Sequence, residues 1–220
     1  IGVGIWDQLD DPLLGLVDLS QAVSDQVIVD GNGSGDYLAI QDGINAVDIG
    51  GSVIVLPGDY VGSLVIAKSL QLLGSGMDSN PLLGTNVFGY HAAAGVGNDV
   101  VTVLAANVEI RDLRIDAWST LHSARYGAGL IYDHADGGII SGVRVEHATY
   151  GIYPYFSNNV TVTTSEVFDC GVDLGLGGGI FFRASSGTIG GFHLGNLAEN
   201  CHGSGILMHN GSAGVIEGNL

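Results

Sequence analysis

Tyr150, Tyr153 and Tyr155 crowd into six residues of the stretch Tyr150-Gly151-Ile152-Tyr153-Pro154-Tyr155-Phe156. A tyrosine ring offers an apolar face and a polar tip, a combination that stacks on a sugar ring while hydrogen-bonding its hydroxyls. Upstream, Trp118, His122, Arg125 and Tyr126 read as a loop that would add binding groups to the same strip. Arg125 stays charged at every working pH and can clamp a carboxylate. A phenol, with a reference pKa of about 10, is a poor base for abstracting a proton near neutrality. Two readings stand side by side: a catalytic group of Arg125, Tyr150, Tyr153 and Tyr155, and a sugar-facing platform. Tyrosines that only guard a strand edge and a solvated loop arginine are the plain alternative.

A second oxygen-rich stretch is Asp30-Gly31-Asn32-Gly33-Ser34-Gly35-Asp36. It has oxygen side chains at alternate positions and Gly at the sixth, as a Ca²⁺ loop does, with Asp30, Asn32 and Asp36 as ligands. Its twelfth position is Gln41 rather than a bidentate glutamate, so a helix-capping turn is the favoured reading and Ca²⁺ the alternative to no cofactor at all. Asp112, Asp116, Asp133 and Asp136 form another acidic group, which neighbouring coils could bring to a shared Ca²⁺. His193, His202 and His209 share no spacing that indicates a metal site.

What must position these groups is a repeat. Val108 to Asp116 leads to Gly129-Leu130, Ile139 to Glu146 leads to Gly151-Ile152, Val160 to Cys170 leads to Gly179-Ile180, and Phe192 to Cys201 leads to Gly205-Ile206. The Gly-aliphatic marks recur after 22, 28 and 26 residues. Short β-branched strands and turns repeating at that length predict a right-handed parallel β-helix, an all-β solenoid in which each coil stacks on the last. Stacking predicts that Arg125 and the three tyrosines share one wall. It also puts Cys170 and Cys201 about one strand spacing apart, roughly 4.8 Å, as two small hydrophobes in a ladder or as a disulfide.

Before the repeats, Tyr37, Ile40, Ile44 and Val47 at helical spacing predict one helix over residues 36–47, covering the open N-terminal end of the solenoid. Short apolar runs predict strands at residues 27–29, 52–56, 64–66, 70–73 and 100–103, with a Pro57-Gly58 turn and a long insertion over residues 77–99. Residues 1–26 do not repeat and read as a linker or lead-in, leaving 27–220 as the β-helix domain. Ile1 is not a natural start, and residues 215–220 copy the opening of the preceding coil. The chain is therefore expected to be part of a longer protein.

Composition sets the partners. The chain has 220 residues with one lysine, Lys68, five arginines and 23 acids, for a formal charge of −17. Nothing here could replace the counterions of DNA or RNA, and polyanionic sugars are repelled unless a divalent cation bridges them. No apolar run approaches the roughly 20 residues of a membrane helix. A polysaccharide or neighbouring protein subunits are the expected partners, outside the cell or on its surface.

The segment 30–60, with Ile40-Gln41-Asp42-Gly43-Ile44, Val53-Ile54-Val55-Leu56-Pro57-Gly58-Asp59-Tyr60 and later Leu72-Leu73-Gly74-Ser75-Gly76-Met77, resembles the N-terminal cap and first coils of the pectate-lyase-like superfamily. That group includes pectin esterases, polysaccharide lyases and mannuronan C5-epimerases, and the resemblance covers about residues 28–220. The tyrosine stretch is similar in frame to the epimerase motif Tyr-Gly-Phe-Asp-Pro-His-Glu. Tyr150 and Pro154 match it, Tyr153 stands for the aspartate and Tyr155 for the histidine, while Arg125 holds the place of the catalytic lysine. The resemblance implies a sugar-contacting or scaffolding module of a larger secreted protein. Its alternatives are a uronate lyase or epimerase relative acting in the groove, and an assembly subunit pairing through flat faces or open ends.

Overall fold

The computed structural model describes residues 24–89, 99–117, 127–171 and 177–220. The chain opens with β1 (Gln26–Val29) and the helix α1 (Ile40–Ala46), then winds through successive coils. These are β2 (Ser52–Val55), β3 (Gly58–Val61) and β4 (Leu64–Ile66); β5 (Gln71–Leu73), β6 (Thr85–Phe88) and β7 (Val101–Val103); β8 (Glu109–Asp116) and β9 (Ala128–Asp133). There follow β10 (Ile139–Glu146) and β11 (Tyr150–Tyr155); β12 (Val160–Thr163), β13 (Glu166–Phe168) and β14 (Gly178–Arg183); and β15 (Ser186–Gly190), β16 (Leu197–Glu199) and β17 (Ser204–His209), with β18 (Ala213–Glu217) last. Each strand pairs in parallel with its equivalent one coil on, which makes a parallel β-helix with three faces.

The first face stacks β1, β2, β5, the start of β8, the start of β10, β12, β15 and β18. The second stacks β3, β6, the ends of β8 and β10, β13 and β16. The third stacks β4, β7, β9, β11, β14 and β17. Long strands such as β8 serve two faces because one residue in the left-handed region turns the corner: Asp112 at φ 55° and Gly142 at φ 61° occupy that place in successive coils. Other corners use His147 and Asp169, or His134, Phe156 and Ala184, all at φ between 50° and 60° apart from Phe156 at 48°. Such conformations cost a non-glycine residue energy, and the ladders on either side hold them in place.

Inside, alternate residues of each strand form columns. Val53, Leu72, Ile110, Ile140, Val162 and Ile189 run up the first face, and Leu64, Val101, Leu130, Ile152 and Ile180 up the third, all buried. Each such side chain contributes about 1.5–3 kcal/mol by leaving water. The Gly-aliphatic marks stack as the repeat predicts, for Tyr150 pairs with Ala128 and Gly178, and Ile152 with Leu130 and Ile180. Glycine is required there by crowding. A Cβ on Gly129 would lie 2.1 Å from Val145 Cγ1, and one on Gly151 would lie 2.5 Å from the Gly179 carbonyl oxygen and 3.1 Å from Cys170 Sγ. Cys201 sits equivalently beneath Gly179, and both cysteines are free thiols. Buried backbone groups at the corners are met by side-chain ladders: Ser157 N–H donates to Ser185 Oγ (3.0 Å), and Ser185 N–H to Ser212 Oγ (3.1 Å).

Four expectations need correction. The helix starts at Ile40 rather than residue 36, because Asp36 and Tyr37 donate their N–H groups to the Ile28 carbonyl and Tyr37 pairs with Val29. Its N-cap is Ala39, with no side-chain cap, so the Asp30 loop does not cap it. The Pro57-Gly58 turn is shorter than expected, Gly58 already beginning β3. The insertion over residues 77–99 contains β6, which pairs with β3 and β8 as a full member of the second face. The capping role is as expected: Ile40, Ile44 and Val47 are buried, and Gly43 lets α1 approach so closely that a Cβ would lie 2.7 Å from Val29 Cγ2. Of the expected lead-in over residues 1–26, all but residues 24–26 lie outside the described residues.

Candidate functional site

On the third face the alternation that buries Leu130 and Tyr132, Ile152, and Ile180 and Phe182 turns the intervening side chains outward. Tyr153 pairs in register with Ile131, and Tyr155 with Asp133 and Arg183. Tyr150 begins the same strand and folds back on Tyr153, their rings stacked at 4.3 Å and 13°. Phe181 meets both edge-on, at 5.4 Å from Tyr150 and 5.8 Å from Tyr153. Tyr155 lies tilted at 5.7 Å from Tyr153, and Arg183 covers the Tyr155 ring at 5.5 Å. The three tyrosines therefore share one wall, completed by Phe181 and Arg183, which the sequence reading did not single out. The signal was there: Phe181 and Arg183 follow Gly179-Ile180 at the same offsets as Tyr153 and Tyr155 follow Gly151-Ile152.

The wall has a rim at the next corner. His134 stacks on Phe156 at 5.1 Å and 10°, meets Tyr155 edge-on at 5.9 Å, and is oriented by Asp133, whose Oδ1 lies 2.6 Å from His134 Nδ1. Tyr153 is buried at the centre, only 8% exposed, while Tyr150, Tyr155 and Phe181 are half-buried and keep ring surface toward solvent. Burial raises the Tyr153 phenol above its ordinary pKa; the hydrogen bond and charge of Arg183 oppose this without reversing it. Tyr153 is thus a neutral hydroxyl at physiological pH, able to donate a hydrogen bond and unsuited to act as a base.

Trp118, His122, Arg125 and Tyr126 lie outside the described residues. The Asp30 loop closes on itself. Asp30 Oδ1 accepts the Asn32 N–H (2.8 Å), and Oδ2 accepts the Ser34 N–H (3.1 Å) and hydroxyl. Asp36 Oδ2 accepts the Ile28 N–H (2.8 Å). The Ser34 and Asn32 hydrogen bonds hold the Asp30 carboxyl below its usual range. The Asp30 oxygens thus face the loop's own donors, and the Asp36 carboxylate ties the loop back to β1.

The second face is ionic. Arg114 is buried between Glu146 and Asp116, with Nη2 2.7 Å from Asp116 Oδ2, while Arg144 pairs with Glu146 and with Glu166 at 3.1 Å. Burial would lower the Arg114 pKa, but Glu146 and Asp116 outweigh it and hold the guanidinium above its ordinary value. Above Arg114 and Arg144, Met77, Asp78 and Ser79 overhang a cleft of about 420 Å³.

A family model described as "Right handed beta helix region" matches residues 99–220. Among solved structures, a pectin methylesterase mutant in complex with a hexasaccharide is 15% identical, with a TM-score of 0.55 over 87% of this chain and 66% of that one. The Aspergillus niger pectin methylesterase is 16% identical over 81% of this chain and 61% of its own, with a TM-score of 0.47. The Erwinia chrysanthemi pectin methylesterase is 14% identical over 85% and 80%, also at 0.47. The chain spans about two thirds of the length of the first of these. At such identities the likeness is one of fold. No curated protein matches the chain.

Proposed function

The chain belongs to the right-handed β-helix family, and from that premise we propose that it is a carbohydrate-contacting module of a secreted or surface-displayed protein, binding a glycan on the wall built by β11 and β14. The carrying observation is the continuous aromatic surface of Tyr150, Tyr153, Tyr155 and Phe181, flanked by Arg183 and His134. Ring faces supply apolar stacking, and the phenol, guanidinium and imidazole edges supply directional hydrogen bonds to hydroxyls. An aromatic surface carrying a few polar groups suits a sugar ring, which has an apolar face and a rim of hydroxyls. The charge of −17 favours a neutral glycan over a polyuronate. The likeness in fold to a pectin methylesterase that holds a hexasaccharide supports the ligand class.

A second reading, β-elimination from a uronate chain, draws on Arg183 sharing the wall with Tyr150, since a cation there could neutralise the carboxylate beside the departing proton. One experiment separates the two. The protein is incubated with neutral glycans, pectate, alginate and polymannuronate, and both saturable binding and the ultraviolet absorbance of newly formed double bonds are followed. We expect binding without turnover, weakened at least tenfold in Tyr155→Ala. New absorbance that disappears in Tyr150→Phe would establish the lyase reading instead. Binding of none of these sugars would remove both.

A further inference from the structure

The chain holds two Asn-Gly pairs, Asn32-Gly33 and Asn210-Gly211, and the fold treats them differently. Such a pair carries its own chemistry, because the glycine nitrogen, unshielded by a Cβ, can attack the carboxamide before it. What holds that nitrogen decides whether it is free to react. Around Asn32 the chain is tied down. The Gly33 N–H donates to the Asp30 carbonyl (3.0 Å), and the Asn32 N–H to Asp30 Oδ1 (2.8 Å). The Ser34 N–H donates to Asp30 Oδ2 (3.1 Å), and the Asp36 N–H to the Ile28 carbonyl (2.7 Å).

Asn210-Gly211 turns the corner after β17. Tyr155, Arg183 and His209 stand in register there, and each is followed by a serine, Ser157, Ser185 or Ser212, whose hydroxyl donates back to its carbonyl. In the first two coils one residue, Phe156 or Ala184, separates the pair; in the third there are two, Asn210 and Gly211. The extra residue bulges out of the coil. Gly211 is exposed, and a Cβ built on it would meet nothing within 4 Å. Asn210 is exposed too, in the left-handed region at φ 56°. Among the described residues, neither the Gly211 N–H nor the Asn210 carboxamide makes a hydrogen bond.

We propose that Asn210 is a site of spontaneous deamidation, with water as the sole co-reactant. The Gly211 nitrogen gives up its proton and bonds to Asn210 Cγ, while the bond from Cγ to the side-chain nitrogen breaks. Ammonia leaves with that proton, and a five-membered succinimide remains. Water then adds to one of the two ring carbonyl carbons and opens its bond to nitrogen, leaving aspartate or isoaspartate. The sum is amide plus water to carboxylate plus ammonium, with nothing oxidised or reduced. Isoaspartate adds one carbon to the main chain, at a corner that already accommodates an extra residue. The new carboxylate arises beside His209, whose ring lies 6.0 Å from Phe181, at the edge of the aromatic wall. The reaction itself does not depend on what that wall binds.

The test is peptide mass mapping of the whole chain after incubation in mildly alkaline buffer, once folded and once in urea. In the folded protein the Asn210 peptide should gain about 1 Da and split into aspartate and isoaspartate forms. The Asn32 peptide should change about tenfold more slowly, because its glycine nitrogen is held in the Asp30 loop. Urea, by releasing that loop, should bring the two rates together. Asn210→Gln should abolish the change, since its ring would need a sixth member, and Gly211→Ala should slow it about tenfold by crowding the nucleophile. Equal rates at Asn32 and Asn210 in the folded protein overturn the proposal. So does an Asn210 peptide that changes only in urea, which would mean that the corner shields it, or a gap between the two sites that persists in urea, which would assign the difference to neighbouring sequence rather than to the fold.

Discussion

Tyr153 and Tyr132 occupy adjacent coils of one face yet do different things with a phenol. Tyr153 points outward and holds the wall together; Tyr132 points inward, fully buried, and donates its hydroxyl to the Val108 carbonyl (3.1 Å). Burial raises both phenols above their ordinary pKa, Tyr132 far more than Tyr153. The unfolded chain releases these protons near pH 10 and the folded chain keeps them, so their contribution to stability is complete below about pH 10 and is lost as pH rises toward the folded values. Urea denaturation at pH 8 and at about pH 11 should show this alkaline loss. Tyr132→Phe should cost about 1 kcal/mol at pH 8 through the missing hydrogen bond and should flatten the decline above pH 10. An unchanged slope in the variant would mean that Tyr132 is not the titrating group. Arg114 makes a second residue-scale case. Arg114→Met removes the guanidinium that Asp116 and Glu146 share, leaving Glu146 to Arg144 and Asp116 to His147, and should destabilise the protein by roughly 3 kcal/mol in the same assay.

At the scale of elements, the Gly-aliphatic repeat is a packing device. It lets the start of each third-face strand lie against the side chains of the second face. Gly151→Ala would drive a methyl group into the Gly179 carbonyl and Cys170 Sγ, and should cost about 1–3 kcal/mol by chemical denaturation. Gly205→Ala meets only the Ala198 methyl at 3.3 Å and should cost less. Equal losses would mean that crowding does not explain the repeat. This device is also why the fold was readable from the residues: glycine, then an aliphatic, at 22, 28 and 26 residues fixed the register of β9, β11, β14 and β17 before any geometry. The helix start was not readable, because Tyr37 fits a helical stripe and a parallel bridge equally well, and the Ile28 carbonyl decides between them. Strand β6 was hidden because Thr85-Asn86-Val87-Phe88 lies in an irregular insertion and has no apolar alternation of its own, and its register is set by β3 before it and β8 after it. The tyrosine wall was legible as a cluster, but its partners Phe181 and Arg183 emerged only through stacking.

For the whole molecule, the parallel coils turn single residues into columns. Along the third face, Asp133, Tyr155, Arg183 and His209 stand in register as one polar column, beside the aromatic rings of Tyr153 and Phe181. Successive members are spaced by one strand separation, about 4.8 Å, comparable to the advance of a sugar unit along a chain. A glycan lying across the strands would meet a fresh polar group and a fresh apolar surface at each coil, while the −17 charge turns polyanions away. The most direct measurement is calorimetric affinity for neutral oligosaccharides of increasing length, compared between the parent protein and Phe181→Ala. Affinity that climbs with each added sugar over the first few units and then levels off, with the climb lost in Phe181→Ala, is the result expected. Affinity that ignores length, or a Phe181→Ala protein that binds as the parent does, would contradict a glycan site on this wall.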